Sequence, residues 1–460
     1  MYTSASDHQD ETHPDKKHDN VQRTFWRYAL PSITALLVSG LYEIIDGIFV
    51  GQYIGYEGLA AINVAWPIIF VVVGIGFLIG ISSGSLISIH RGKQQPVEAQ
   101  AILNTSVTLI LLFSLLCTGL MLWLDTPLLQ LQNASGNPLS MALEYTEVFA
   151  IGSAITLLAT ALPMMIRNDD SPFVATGLLL MGAMLNILLD YLFMVLLGWG
   201  IRGAALATVS AQACVTLGAL LYFTHYSNGL RFSRQLFSPR IRTCGRILLL
   251  GSSTFVMYLY ASFDVALHNR LFMEYGNELI VGAYAIVGYL MMLFYLLSEG
   301  ISDGMQPPVS YYFGSNRPRH MRATVKLAVA LIMAIGLGWT LFLSLMPAPV
   351  VSLFSDGNTA LQDTASEGIR LHLFALALDG LIVLAAVYFT AVDQGRKALI
   401  ISVSNIVIQL PFLLILPIFF GITGIWLALP VSTAVLFLVV APMLWHDLRK
   451  RVRQHSPVTV

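Results

Sequence analysis

A chain of 460 residues that is 56% hydrophobic and only 11% charged is too apolar for a soluble domain, where about a quarter of residues carry charge. The net charge of −1 identifies no partner by itself, and no nucleic-acid partner is expected. Cys117, Cys214 and Cys244, odd in number, read as buried free thiols rather than a disulfide framework.

Residues 1–22 are polar, rich in Asp and His, and lack the apolar stretch of a signal peptide. They read as a disordered tail, with His8, His13 and His18 solvated rather than metal-binding. After them, apolar runs of the roughly 20 residues needed to cross a bilayer recur almost without pause. Twelve helices are expected, near 27–50, 60–88, 100–124, 143–166, 173–197, 203–225, 244–271, 279–303, 322–345, 368–391, 397–419 and 423–446. The runs lack the alternation of barrel strands, and backbone groups in lipid must be satisfied internally, so the fold class is an all-α integral membrane bundle. The polar, Arg-rich connection 226–243 divides a first lobe (23–225) from a second (244–448), and a basic tail follows over 449–460. All of the 25 Lys and Arg residues except Arg202, Arg270 and Arg370 fall on one side of this topology. By the positive-inside rule both termini are expected to be cytoplasmic.

The chain repeats itself. Gly80-Ile81-Ser82-Ser83-Gly84 returns as Gly300-Ile301-Ser302-Asp303-Gly304, and Gly200-Ile201-Arg202-Gly203 as Gly421-Ile422-Thr423-Gly424. Six helices per half is even, so the halves share one orientation and are expected to flank a central cleft suited to alternating access. Gly198-Trp199-Gly200-Ile201-Arg202-Gly203 fits the dinucleotide pattern G-x-G-x-x-G but has no strand before it, and reads as a tight hairpin. No phosphate-binding G-x-x-x-x-G-K-[ST] occurs, and no connection is long enough to hide a catalytic domain. The triplet Asn133-Ala134-Ser135 fits a glycosylation sequon but carries little weight.

Four aspartates, Asp46, Asp190, Asp264 and Asp379, interrupt the apolar runs, at a cost of about 2.5–3.5 kcal/mol each on insertion scales. Asn186 and Asp190 stand four apart on one helix face. With Asp46 and Thr208 they supply hard oxygen ligands for Na⁺; protonated, the carboxylates would carry H⁺ instead, because burial penalises the charged form. The alternative is a hydrogen-bonded group that only packs helices. Asp264 and Asp379 form a looser second-lobe pair, a candidate cation or substrate site, and His268, four residues beyond Asp264, is placed for a salt bridge. Glu43, three residues before Asp46, is a candidate cleft acid, with a local hydrogen bond as the alternative. Glu299 and Asp303 read as solvated or capping, and Pro31 as a point of bending in the first helix.

Asp46-Gly47-Ile48-Phe49-Val50-Gly51, Asn186-Ile187-Leu188-Leu189-Asp190 and Gly203-Ala204-Ala205-Leu206-Ala207-Thr208 together resemble the multidrug and toxic compound extrusion (MATE) transporters. Arg167-Asn168-Asp169 and Gln306-Pro307 resemble the DinF/MepA-type bacterial branch. The resemblance implies a secondary active antiporter, not an enzyme, in a bacterial cytoplasmic membrane. It implies export of amphipathic or cationic drugs, with H⁺ favoured and Na⁺ the other coupling ion, and no cofactor. It places the first-lobe cation site on Asp46, Asn186, Asp190 and Thr208, links Pro31 to bending of the first helix, and sets Asp264 and Asp379 where a related branch keeps an acidic pair. The aromatic partner expected one turn before Asp379 is missing, since position 375 is Ala375. Small-molecule drugs and membrane lipid are the expected partners, and the monomer the functional unit. Met164, Met165, Met291 and Met292 are candidates for an adaptable drug-binding wall, with helix packing as the plainer role. A saccharide flippase of related architecture would line its cleft with cations, whereas here they lie in loops; an importer is the other alternative.

Overall fold

The computed structural model describes residues 19–131, 136–227, 229–232, 239–352 and 358–454. The tail histidines, the triplet at 133–135 and the end of the basic tail lie outside the described residues. Fifteen α-helices follow one another among the described residues: α1 (Val21–Tyr53), α2 (Tyr56–Gly92), α3 (Pro96–Leu131), α4 (Gly136–Ile151), α5 (Ser153–Asn168), α6 (Pro172–Asp190), α7 (Gly200–Leu221), α8 (Ile241–Tyr275), α9 (Glu278–Gly314), α10 (Pro318–Leu345), α11 (Pro347–Ser352), α12 (Thr359–His372), α13 (Leu376–Ala391), α14 (Gly395–Phe420) and α15 (Ile422–Gln454).

Local chemistry sets several starts. Asn20 accepts from the amide of Arg23 at 3.0 Å to cap α1, and Asn277 and Asn358 cap α9 and α12 in the same way. Proline opens α6 and α10, where a missing N–H costs nothing. Ten helices are each long and apolar enough to cross a membrane, and two bent pairs, α4–α5 at 61° and α12–α13 at 50°, complete twelve crossings when each is one span. The fourth span of each lobe is therefore broken, where hydropathy alone reads a single helix.

The repeat extends to backbone geometry. Gln94 and Asn316 both take a left-handed conformation, at φ 58° and 60°, as do Asp170 and Asp393 at 63° and 59°. Gly200 and Gly421 match at 56°, so the glycine-rich motif at 198–203 is a turn between crossings.

Each lobe has its own apolar core, and the first helix of each lobe is shared between the two. Phe25 and Ala29 at the start of α1 belong to the second-lobe core, while Val50 near its end belongs to the first. Symmetrically, Ile247 and Leu250 of α8 lie in the first-lobe core, and Leu271 and Phe272 in the second. The shared segments pack tightly: a Cβ on Gly304 of α9 would stand 2.4 Å from Ala29 Cα, and one on Gly251 of α8 would overlap the carbonyl of Leu78 on α2. This junction lies at the terminus-bearing end of the bundle, where α1 begins and α15 ends; there Arg317 pairs with Asp19 at 3.0 Å and the Arg451 guanidinium lies 4.9 Å from the Phe313 ring.

Candidate functional site

In the first lobe, α1, α6 and α7 bring together all four residues of the expected cation site. Asp46 (9% exposed), Asn186 (2%) and Asp190 (0%) are buried, and Thr208 is half-buried. Asp46 and Asp190 lie close enough for one to donate to the other when one is protonated. Asn186 donates through Nδ2 to Thr208 Oγ1 at 3.3 Å, and the Thr208 hydroxyl donates to the carbonyl of Ala204 at 3.2 Å. That bond engages the amide nitrogen, while the amide oxygen is buried without a donor. Among the described residues no donor reaches Asp46 Oδ1, Asn186 Oδ1 or either carboxylate oxygen of Asp190. Four buried acceptors without a donor are costly unless a proton or cation joins them. Immediately after Asp190 the helix widens to i→i+5 bonding over Tyr191–Leu196, a local feature often found at functional sites.

Two tyrosines were not singled out from the sequence. Tyr42 and the fully buried Tyr145 both stand within electrostatic reach of Asp46 and Asp190. Tyr42 had a usable signal, since it precedes Asp46 by one helical turn; Tyr145 comes from α4 and had none. Glu43 is exposed, close enough to Asp46 to feel its charge. Pro31 is buried in a helix that runs unbroken from Val21 to Tyr53, and its carbonyl accepts from Thr176 of α6 at 3.0 Å.

In the second lobe, Asp264 Oδ1 accepts from Gln409 at 2.7 Å and from Tyr260 at 3.2 Å. His268 Nδ1 lies 3.2 Å from the same oxygen and 3.0 Å from the Asp264 carbonyl, as its spacing predicts. The His268 ring stacks on Tyr284 at 5.2 Å and meets His372 edge-on at 5.7 Å; His372 was absent from the sequence reading because it comes from another span. The side chain of Tyr295 on α9 stands close to Asp379. Its aromatic partner thus arrives from a neighbouring helix, while Ala375 sits at the break before α13. Unlike the first-lobe acids, Asp264 already holds hydrogen-bond donors.

Two expectations change. Asp303 is not solvated: it is 6% exposed and pairs with Arg167 of the other lobe at 3.1 Å, while Glu299 accepts from Tyr258 at 3.4 Å. The plainer role given to the methionines holds for three of them: Met165 and Met291 are core residues, and Met164 is also buried. Only Cys117 of the three free thiols is buried; Cys214 and Cys244 are partly exposed.

A model of the MatE family matches the chain twice, over residues 31–192 and 253–415, one match in each lobe. The multidrug export protein MepA of Staphylococcus haemolyticus is 25% identical over 437 residues, covering 95% of this chain and 96% of that protein. MepA of Staphylococcus saprophyticus is 24% identical over 433 residues, covering 94% and 95%. The fold is similar to that of a multidrug resistance MATE family transporter of the MOP superfamily in an outward-facing conformation, with TM-score 0.89 and 21% identity over 95% of this chain and 98% of the other. It is also similar to MATE in the bent conformation, with TM-score 0.88 and 22% identity over 95% and 97%. Matched by the family model over both halves of a twelve-span, two-lobe helical fold, the chain belongs to the MATE family of membrane transporters.

Proposed function

We propose that this protein is a secondary active antiporter that exports amphipathic or cationic compounds in exchange for a cation, by alternating access of the cleft between its lobes. The observation that carries the reading is the set of donor-less oxygens on Asp46, Asn186 and Asp190. A proton is the favoured ion: a single hydrogen between two adjacent carboxyls supplies a donor and leaves one negative charge rather than two. Na⁺ ligated by the same oxygens and Thr208 is the other choice. Export is supported by the multidrug export proteins to which the chain is similar. One charge moving inward through roughly 150 mV releases about 3.5 kcal/mol, enough to hold a gradient of a few hundredfold for a neutral substrate.

The coupling route runs through α1. One end of this helix is embedded in the second-lobe core and the other carries Asp46 into the first. Loading the site alters the hold of the first lobe on the far end of a helix whose near end the second lobe grips. Polarity follows from the basic residues, with the terminus-bearing end cytoplasmic and the cation entering from outside.

Efflux of ethidium from vesicles, driven separately by a pH gradient and by a Na⁺ gradient, tests the reading. Asp46→Asn and Asp190→Asn are each expected to abolish efflux under either drive while protein levels stay normal. Full activity in either variant overturns the site, and uptake in place of efflux overturns the direction.

A further inference from the structure

At the terminus-bearing end, between α10 and α15, three cations converge on one indole. The Arg322 guanidinium lies 5.0 Å from the Trp445 ring centroid, the Lys326 ammonium 5.5 Å and the Arg449 guanidinium 4.9 Å. The sequence arranges this simply: Arg322 and Lys326 are four apart on α10, and Trp445 and Arg449 four apart on α15, so each pair shares a helix face. None of the three cations is in an ion pair among the described residues. The only acid on either helix, Asp447, is committed to Arg451 at 2.6 Å, Tyr388 at 2.8 Å and Lys397 at 3.3 Å. Arg322 Nε is buried with no acceptor, although an arginine nitrogen out of water normally finds one. Trp445, at 37% exposure, is open to the surroundings.

Three like charges around one ring repel, and cation–π attraction offsets only part of that at an exposed site. An anion at their centre removes the conflict. The position selects which anion. Below Lys326 and above Trp445 both helices become apolar spans with exposed Leu337, Leu341, Leu438 and Val439, and tryptophan at the end of a span favours the headgroup layer. Basic pockets between spanning helices at that depth suit phosphate headgroups.

We infer that Arg322, Lys326, Arg449 and Trp445 form a binding site for an anionic phospholipid, with the phosphodiester between the cations and the acyl chains along α10 and α15. The site stands independently of the transport reading.

The test uses the purified full-length chain in detergent, with bound lipid counted by native mass spectrometry after titration with phosphatidylglycerol or phosphatidylcholine. The wild type is expected to retain phosphatidylglycerol in preference to phosphatidylcholine. Each neutralised cation should weaken that retention about fivefold, from ~1 kcal/mol per cation near an anionic surface. Lys326→Gln/Arg449→Gln alters only exposed side chains, so folding is preserved; an unchanged thermal midpoint in phosphatidylcholine checks this, and adding Arg322→Gln deepens the loss. Arg396→Gln, an exposed cation outside the cluster, should leave retention unchanged. Equal retention by wild type and double variant overturns the site. So does an equal loss in Arg396→Gln, which would mean general charge attraction, or displacement of the lipid by inorganic phosphate, which would mean a free-anion site.

Discussion

An amide held by one end decides what its other end can do. The Asn186 nitrogen donates to Thr208, whose hydroxyl donates to the Ala204 carbonyl, and the Asn186 oxygen is left buried without a donor. In the proposed site Thr208 is thus first an orienting group, whichever cation binds. Thr208→Val keeps the shape and removes the hydroxyl; a net hydrogen bond of about 1 kcal/mol predicts roughly a fivefold weaker apparent affinity for the coupling cation. Thr208→Ser should restore it. Efflux rate measured against cation concentration reads this directly, and an unshifted curve for the valine variant removes Thr208 from the site. Asp379 carries a second lesson. Position 375 denies it an aromatic neighbour on its own helix, yet Tyr295 reaches it from α9. Spacing along one helix reports partners on that helix alone, which is why Asn186–Asp190 and Asp264–His268 were legible while Tyr145, Tyr295 and His372 were not.

The distinctive element is the helix shared between lobes. Hydropathy finds α1 and α8 readily, but nothing in their composition says that each begins in the core of the opposite lobe, because that depends on which surfaces meet after folding. The broken fourth spans escaped for a related reason: apolar character continues across Gly152 and across 373–375 while the helix axis turns. The glycine repeat was legible, and its use is asymmetric. Gly80 lies against Ala161 within the first lobe, whereas Gly300 and Gly304 let α9 touch the backbone of α1 at Ile33 and Ala29. Gly304→Ala would force a methyl to 2.4 Å from Ala29 Cα, where only backbone can yield. Overpacking of this kind costs about 1–3 kcal/mol, so the thermal midpoint in detergent should fall. Gly338→Ala on α10 meets nothing within 4 Å and should match or exceed the wild type through helix propensity. Equal midpoints for the two variants would show that the α1–α9 contact is not tight.

At the scale of the whole molecule, the lobes are joined at the terminus-bearing end by polar groups as well as by packing. Arg167 reaches Asp303 at 3.1 Å; Gln306 donates to Ser85 at 2.8 Å and accepts from Asn168 at 3.1 Å. Each of these bonds spans the two lobes and each is buried. In the alternating access proposed above, these bonds would break once per cycle and so set part of the difference between the two states. Well-made buried pairs contribute little net stability, but removing one partner strands the other's charge, at about 3–5 kcal/mol. Asp303→Asn therefore penalises only the state in which Arg167 is enclosed. A shift of ~3 kcal/mol changes the ratio of two states roughly a hundredfold, enough to turn a closed terminus-bearing end into a mostly open one. Spin labels at Lys93 in the first lobe and Arg319 in the second, both exposed at that end, would report it as a longer distance in pulsed electron resonance. Arg167→Gln in the same background removes the stranded charge and should return the distribution toward the wild type. Asp303→Asn alone leaving the distances unchanged would mean that packing at Gly304 and Gly251, rather than the ion pair, holds this end closed.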